Sequence, residues 1–76
     1  RGGLMEKVIC VKVEKMETTA RKFNQIRVVL GDLHLTCDLV DDRQIRLAKR
    51  IADGHQASFM YDDANAERVR EVLGIA

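Results

Sequence analysis

Residues 43–50, RQIRLAKR, carry four cations in eight positions and no acid. On a helix, Arg43, Arg46 and Arg50 fall at i, i+3 and i+7 and share one side, with Lys49 beside Arg46 and Arg50. Guanidinium groups grip phosphates and carboxylates through paired hydrogen bonds. Such a surface would take nucleic acid, another anion or an acidic protein. Arg27 would extend it from a neighbouring strand, as would Arg21 and Lys22. Asp41, Asp42 and Asp53 flank the run and reduce its potential. An amphipathic helix also needs a solvated side, and charge is its ordinary material. The solvated side accounts for the run, and anion binding is carried as the alternative.

The soft ligand types are Cys10, His34, Cys37 and His55. His34-x-x-Cys37 has a ligand-like spacing, but side chains alternate along a strand and these two would point to opposite faces. No Cys-x-x-Cys pair occurs, and zinc sites usually show tighter ligand pairs. No metal or cofactor is expected. A nucleophilic thiol needs a base and an orienting group within hydrogen-bond reach. Cys37 is predicted to be buried beside Ile26 and Leu35, and Cys10 to face away from that core with Lys12. The acid pairs Asp41-Asp42 and Asp62-Asp63 each precede a predicted helix. Capping explains both, because aspartate accepts hydrogen bonds from free amides at the positive end of the helix dipole. No phosphate loop, dinucleotide fingerprint or nucleophile elbow is present. The residues therefore point away from an enzyme.

The elements that would position these groups follow from periodicity. In KVICVKVEKM, 7–16, Ile9, Val11 and Val13 alternate with Cys10, Lys12 and Glu14, as in a half-buried strand. METTARK, 16–22, is polar and reads as a loop or a fraying strand. Residues 24–40 contain two strand-like runs around Gly31-Asp32, a pair suited to a tight hairpin. That turn sets Leu30 against Leu33, Val28 against Leu35 and Ile26 against Cys37, all on one side. Gln25, Arg27 and Val29 lie on the other, against Asp38, Thr36 and His34. DDRQIRLAKRIADG, 41–54, reads as a helix capped by Asp41 or Asp42, with Gln44 completing a capping box. Its apolar stripe is Ile45, Ala48, Ile51 and Ala52, with Leu47 at the margin, and it is expected to cover the oily side of the hairpin. Gly54 is placed to end it in a left-handed cap. HQASFMY, 55–61, returns to strand, with Ala57, Phe59 and Tyr61 on one face. Residues 62–76 form a second helix with the stripe Ala66, Val69, Val72 and Leu73, capped by Asp62 or Asp63 and ended by Gly74.

The predicted order is β-β-β-α-β-α, a single α+β domain over 1–76 with an antiparallel sheet that can curl into a partly open barrel. The 76 residues bury only about 60% of their unfolded surface, so stability is marginal. Two cysteines are too few for a disulfide-rich secreted scaffold, which favours the cytoplasm. No apolar run approaches the roughly 20 residues of a membrane span, and no signal peptide is visible. RGGL, 1–4, reads as a vector-derived remnant or as part of a longer chain. The formal charge of +1 argues against a general polyanion binder. With no Trp, one Tyr and two Phe, a stacking platform for single-stranded nucleic acid is thin.

The run IRVVLGDLHLTCDL, a helix, and then ADGHQASFMYD resembles small OB-type barrels, in which a helix separates the third and fourth strands and a glycine opens the fourth. It is also similar to the TOBE-type barrels appended to transporter ATPases. The resemblance spans about residues 7–62 and implies binding rather than chemistry: nucleic acid or oligosaccharide for OB folds, small oxyanions or regulation for TOBE-type barrels. The pattern calls for a fifth strand where 62–76 reads as helix.

The outer hairpin face, with Val29, His34, Thr36 and Met60, is mixed in polarity and suits association with a second copy or another protein. A second copy would also relieve the thin core. The expectation is a non-enzymatic binding or assembly module, homo-oligomeric or bound to a protein partner through its sheet face or edge, with no membrane role. The alternative is a nucleic-acid-binding protein using Arg27, Arg43, Arg46, Lys49 and Arg50.

Overall fold

A computed structural model describes residues 7–38 and 41–75. The chain forms β1 (Val8–Glu17), β2 (Lys22–Leu30), β3 (Leu33–Asp38), α1 (Asp42–Gly54), β4 (Ser58–Tyr61) and α2 (Asp63–Leu73). It is an α+β fold with a four-stranded mixed sheet in the order β3-β2-β1-β4. The readings of 1–4 and of residues 39 and 40 fall outside the described residues.

β1, β2 and β3 form an antiparallel meander. Thr18 shapes the first turn: its amide donates to the Arg21 carbonyl at 2.8 Å, and its hydroxyl accepts from the amides of Ala20 and Arg21. The second turn is Gly31-Asp32, with Gly31 at φ 58°, a conformation that glycine adopts without steric cost. The expected register holds, with Ile26 opposite Cys37, Val28 opposite Leu35 and Leu30 opposite Leu33.

Three expectations about the sheet change. β4 does not extend the antiparallel pattern. It lies parallel to β1, Cys10 opposite Ser58 through Val13 opposite Tyr61, because the α1 crossover returns the chain in the β1 direction. The sheet does not close into a barrel: β3 and β4 stand at its two ends. Ile9 does not face the core. A register irregularity between Val8 and Cys10 turns it out to solvent and puts Val8 inside, since one extra residue inverts the alternation.

Both helices lie on the side of the sheet that carries Val11 and Val13. The core is Val8, Val11, Val13 and Ile26 from the strands, Ile45, Ala48 and Ala52 from α1, and Val69 from α2. Asp41 caps α1 in a full capping box: its carboxylate accepts from the Gln44 amide at 3.2 Å while its own amide donates to the Gln44 side chain at 3.0 Å. Gly54 is not the left-handed terminator. It remains within α1, His55 is the C-cap, and Gln56 takes the left-handed conformation at φ 56°. Gly74 does end α2 that way, at φ 70°.

The main partners of α1 are β1, β4 and α2. It therefore does not cover the β2–β3 hairpin, as the sequence suggested it would. Cys37, expected to be buried, is exposed, and so are Leu33 and Leu35. The molecule is 18 Å deep in its thinnest direction, the depth of one sheet and one helix layer, and over β3 the helix layer is missing, while β2 is partly covered.

Asp62 ties the end of β1 to the start of α2. Its carboxylate accepts from the Lys15 amide at 2.7 Å and from the Asn65 amide and side chain at 3.2 and 2.9 Å. Burial pushes its pKa up, but the hydrogen bonds from Lys15 and Asn65, helped by the charge of Lys12, outweigh burial and hold it below 3.8. A group lowered on folding contributes stability above its unfolded pKa and loses it as pH falls toward the folded value. Asp62→Ala is expected to cost about 1–2 kcal/mol at neutral pH. Urea titrations should show the gap to the parent protein narrowing once pH falls below 3.8.

Candidate functional site

The basic run sits on α1 as the sequence implies, but the structure divides its members. Arg43, Arg46 and Arg50 stay together on the outer side of the helix. With Leu47 they line a shallow hollow, and Arg43 and Arg46 line a second with Asp41, Asp42 and Arg68. Arg43 is nearly free in solvent, 3.7 Å from Asp41. Arg46 and Arg50 make no ion pair among the described residues. Lys49 belongs to the other flank: it pairs with Asp53 at 2.6 Å and stands 5.9 Å above the Phe59 ring. Phe59 is on β4, so this flank faces that strand.

Arg27 does not join them. It lies opposite Lys12 on β1 and Thr36 on β3, on the sheet face away from both helices. Its Nη2 is 2.9 Å from Glu14 Oε2. Gln25 Nε2 donates to the same oxygen at 2.6 Å, and Lys12 Nζ is 3.6 Å from Oε1. Glu14 is buried although it stands on the open face, because these longer side chains close over it. Arg27 Nε is buried without a hydrogen-bond partner. Arg21 also turns elsewhere, stacking on Phe23 at 4.1 Å and pairing with Asp38 at 3.1 Å.

Sequence reasoning did not find Arg68. It reaches from α2 to Asp42 at 3.2 Å and brings a fourth guanidinium to the α1 arginines. No local spacing could show this, because 26 residues separate the pair. The acid pairs act as caps and ion-pair partners: Asp41 and Asp62 are N-caps, and Asp42 holds Arg68. His34 and Cys37 project from opposite faces of β3. Among the described residues, no three His, Cys, Asp or Glu side chains gather as metal ligands. No helix among them is long and apolar enough to cross a membrane.

The second candidate surface is the β2–β3 hairpin on its helix side. Leu33, Leu35 and Cys37 are exposed there, while Val28 and Leu30 are only partly buried against the core. On α1, Gln44, Leu47 and Ile51 fall at i, i+3 and i+7. Gln44 Nε2 donates to the Asp38 carbonyl at 3.4 Å, and Ile51 packs on the core. Leu47, between them, lies on the flank facing the hairpin and is 52% exposed. The result is an apolar floor on β2 and β3 with an apolar wall on α1.

These features define a two-layer α+β domain whose inner sheet face is uncovered at β3 and partly covered at β2. No family, curated protein or solved structure matches the chain.

Proposed function

We propose that the domain is a non-enzymatic assembly module that associates with a second copy through the edge of β3. The observation that carries this reading is that all six residues of β3 are exposed, although Leu33, Leu35 and Cys37 are apolar. Natural edge strands are usually blunted by lysine, proline or a bulge. LHLTCD has neither residue, and its pairing with β2 runs without a register shift. Two copies paired antiparallel about Leu35 set Leu33 against Cys37 of the other copy and keep the apolar side chains on one face. The two free thiols, Cys10 and Cys37, suit a reducing compartment, and the proposal places the domain in the cytoplasm.

Counting from the two-residue turn, Leu33, Leu35 and Cys37 hydrogen-bond to β2, and the amides of His34 and Thr36 aim outward. Thr36→Pro removes an outward donor and leaves the β2 ladder intact. Sedimentation velocity from about 1 μM to 1 mM should show the parent chain associating and Thr36→Pro weakened about tenfold, or 1.4 kcal/mol. A parent chain that stays monomeric throughout would sink the reading.

A second reading, nucleic-acid binding, draws support from Arg46 and Arg50, which lack ion-pair partners among the described residues. The loss of Arg27 and Lys49 from the patch weakens it. Absence of DNA or RNA binding at about 50 mM salt, where phosphate contacts are strongest, would remove it.

A further inference from the structure

The open part of the inner face has a definite width. β3 lies two strand spacings, about 10 Å, from β1; between them β2 is partly covered, with Ile26 in the core and Val28 and Leu30 half-buried, and all of β3 is exposed. That spacing is about the diameter of one helix with its side chains. α1 rises beside it by about the same amount. The floor is therefore a step at the foot of α1, open at the β3 edge, and a rod laid along it meets both elements.

Its chemistry is laid out in bands. Leu33, Leu35 and Cys37 form the outer strip and Val28 and Leu30 the inner one, and Leu47 is the wall. Above Leu47 stand Arg43, Arg46 and Arg50, and the four residues share one hollow. Arg46 and Arg50 have no acid of this chain paired with them among the described residues. A helix laid along the floor would bury its apolar side on the leucines and bring its flank against these guanidinium groups. Two of them lack a counter-charge, and a carboxylate is the group they pair with best.

We propose that this trough binds an amphipathic helix from another protein, with aliphatic side chains on one face and Asp or Glu along the flank next to α1. Recognition is of the helix-in-groove kind, with apolar anchors at i, i+3, i+4 and i+7. The anchors supply affinity, and the acidic flank fixes direction and selects the partner. A second copy of this chain is a poorer occupant, because both its helices already spend their apolar stripes on their own core. The proposal does not need the β3 edge pairing, which uses outward amides rather than this face.

The test uses the full chain and two labelled synthetic helices of about five turns. They share a leucine stripe, and one carries glutamate and the other lysine along the flank. Fluorescence anisotropy should give at least about tenfold tighter binding of the glutamate peptide at low salt, with the advantage shrinking as salt rises. Arg46→Glu with Arg50→Glu, both at exposed positions, should reverse the preference. Leu35→Ser should weaken both peptides about tenfold, and Thr36→Pro should weaken neither. Equal affinity for the two peptides, indifference to Leu35→Ser, or no binding of either overturns the proposal. So does co-sedimentation with phosphatidylserine vesicles without peptide binding, which would make the surface a lipid contact. Loss of self-association in Thr36→Pro with peptide binding retained supports both readings. Peptide binding by a chain that stays monomeric keeps this one and removes the other.

Discussion

Ile45→Ala is expected to cost about 3 kcal/mol, read by urea unfolding at a concentration low enough to hold the monomer. Ile45 is fully enclosed near the start of α1 and belongs to the core cluster shared by the strands and α2. Truncation there removes aliphatic surface from the interior and leaves a void that the flanking Ala48 and Ala52 are too small to fill. A domain of this length has roughly 4–11 kcal/mol in total, so the loss is a large share. The fitting comparison is Leu35→Ala. Leu35 also belongs to the oily side of the sheet, yet it is 57% exposed, and its truncation should change stability by only about 0.5 kcal/mol. Comparable costs at the two sites would mean that the hairpin face is covered within the monomer, and the trough would not exist.

Glu14→Ala should rank next, at about 2 kcal/mol. The carboxylate holds Gln25 and Arg27 at 2.6 and 2.9 Å. Removing it leaves a buried amide and a guanidinium whose Nε already lacks a partner. A fully enclosed pair broken this way loses about 3–5 kcal/mol, but Arg27 is one-third exposed and recovers part of the loss by hydration. Replacing both partners, Glu14→Leu with Arg27→Met, should return most of the stability, because no charge is then left behind. Chemical denaturation of the two variants provides the check. If Glu14→Ala costs less than about 0.5 kcal/mol, the network on the open face is too well hydrated to matter.

The second turn was legible because local chemistry and periodicity agree there: Gly31-Asp32 sits between two runs of alternating side chains, and the register follows. The caps were legible to within one residue, as Asp41 or Asp42 and Asp62 or Asp63, since an acid before an amphipathic run has a short-range job; the structure selects Asp41 and Asp62. Alternation tells which residues share a side, but it does not tell whether anything lies on that side. For this reason Leu35 and Cys37 read as core and proved exposed. The direction of β4 was hidden as well. Four residues, SFMY, look the same whether they run with β1 or against it. The displacement of Ile9 has no signature in VIC, where any of three apolar residues could be the extra one. At the basic site, helical spacing correctly grouped Arg43, Arg46 and Arg50. Arg27 was misplaced because its partner, Glu14, comes from the neighbouring strand β1, 13 residues earlier in the chain.

The parallel pairing of β1 with β4 has a consequence for synthesis on the ribosome. Of these four strands β1 emerges before the others, and it finds β2 at once across a short turn. Its other neighbour arrives only after the hairpin and α1 have been made, more than 40 residues later. Until then the nascent three-stranded ribbon shows Val11 and Val13 bare, and β1 stands as an open edge beside them. The strand that finishes buried at the centre of the sheet thus spends the longest time unprotected, and a translational pause before β4 is released would leave the growing chain at its stickiest.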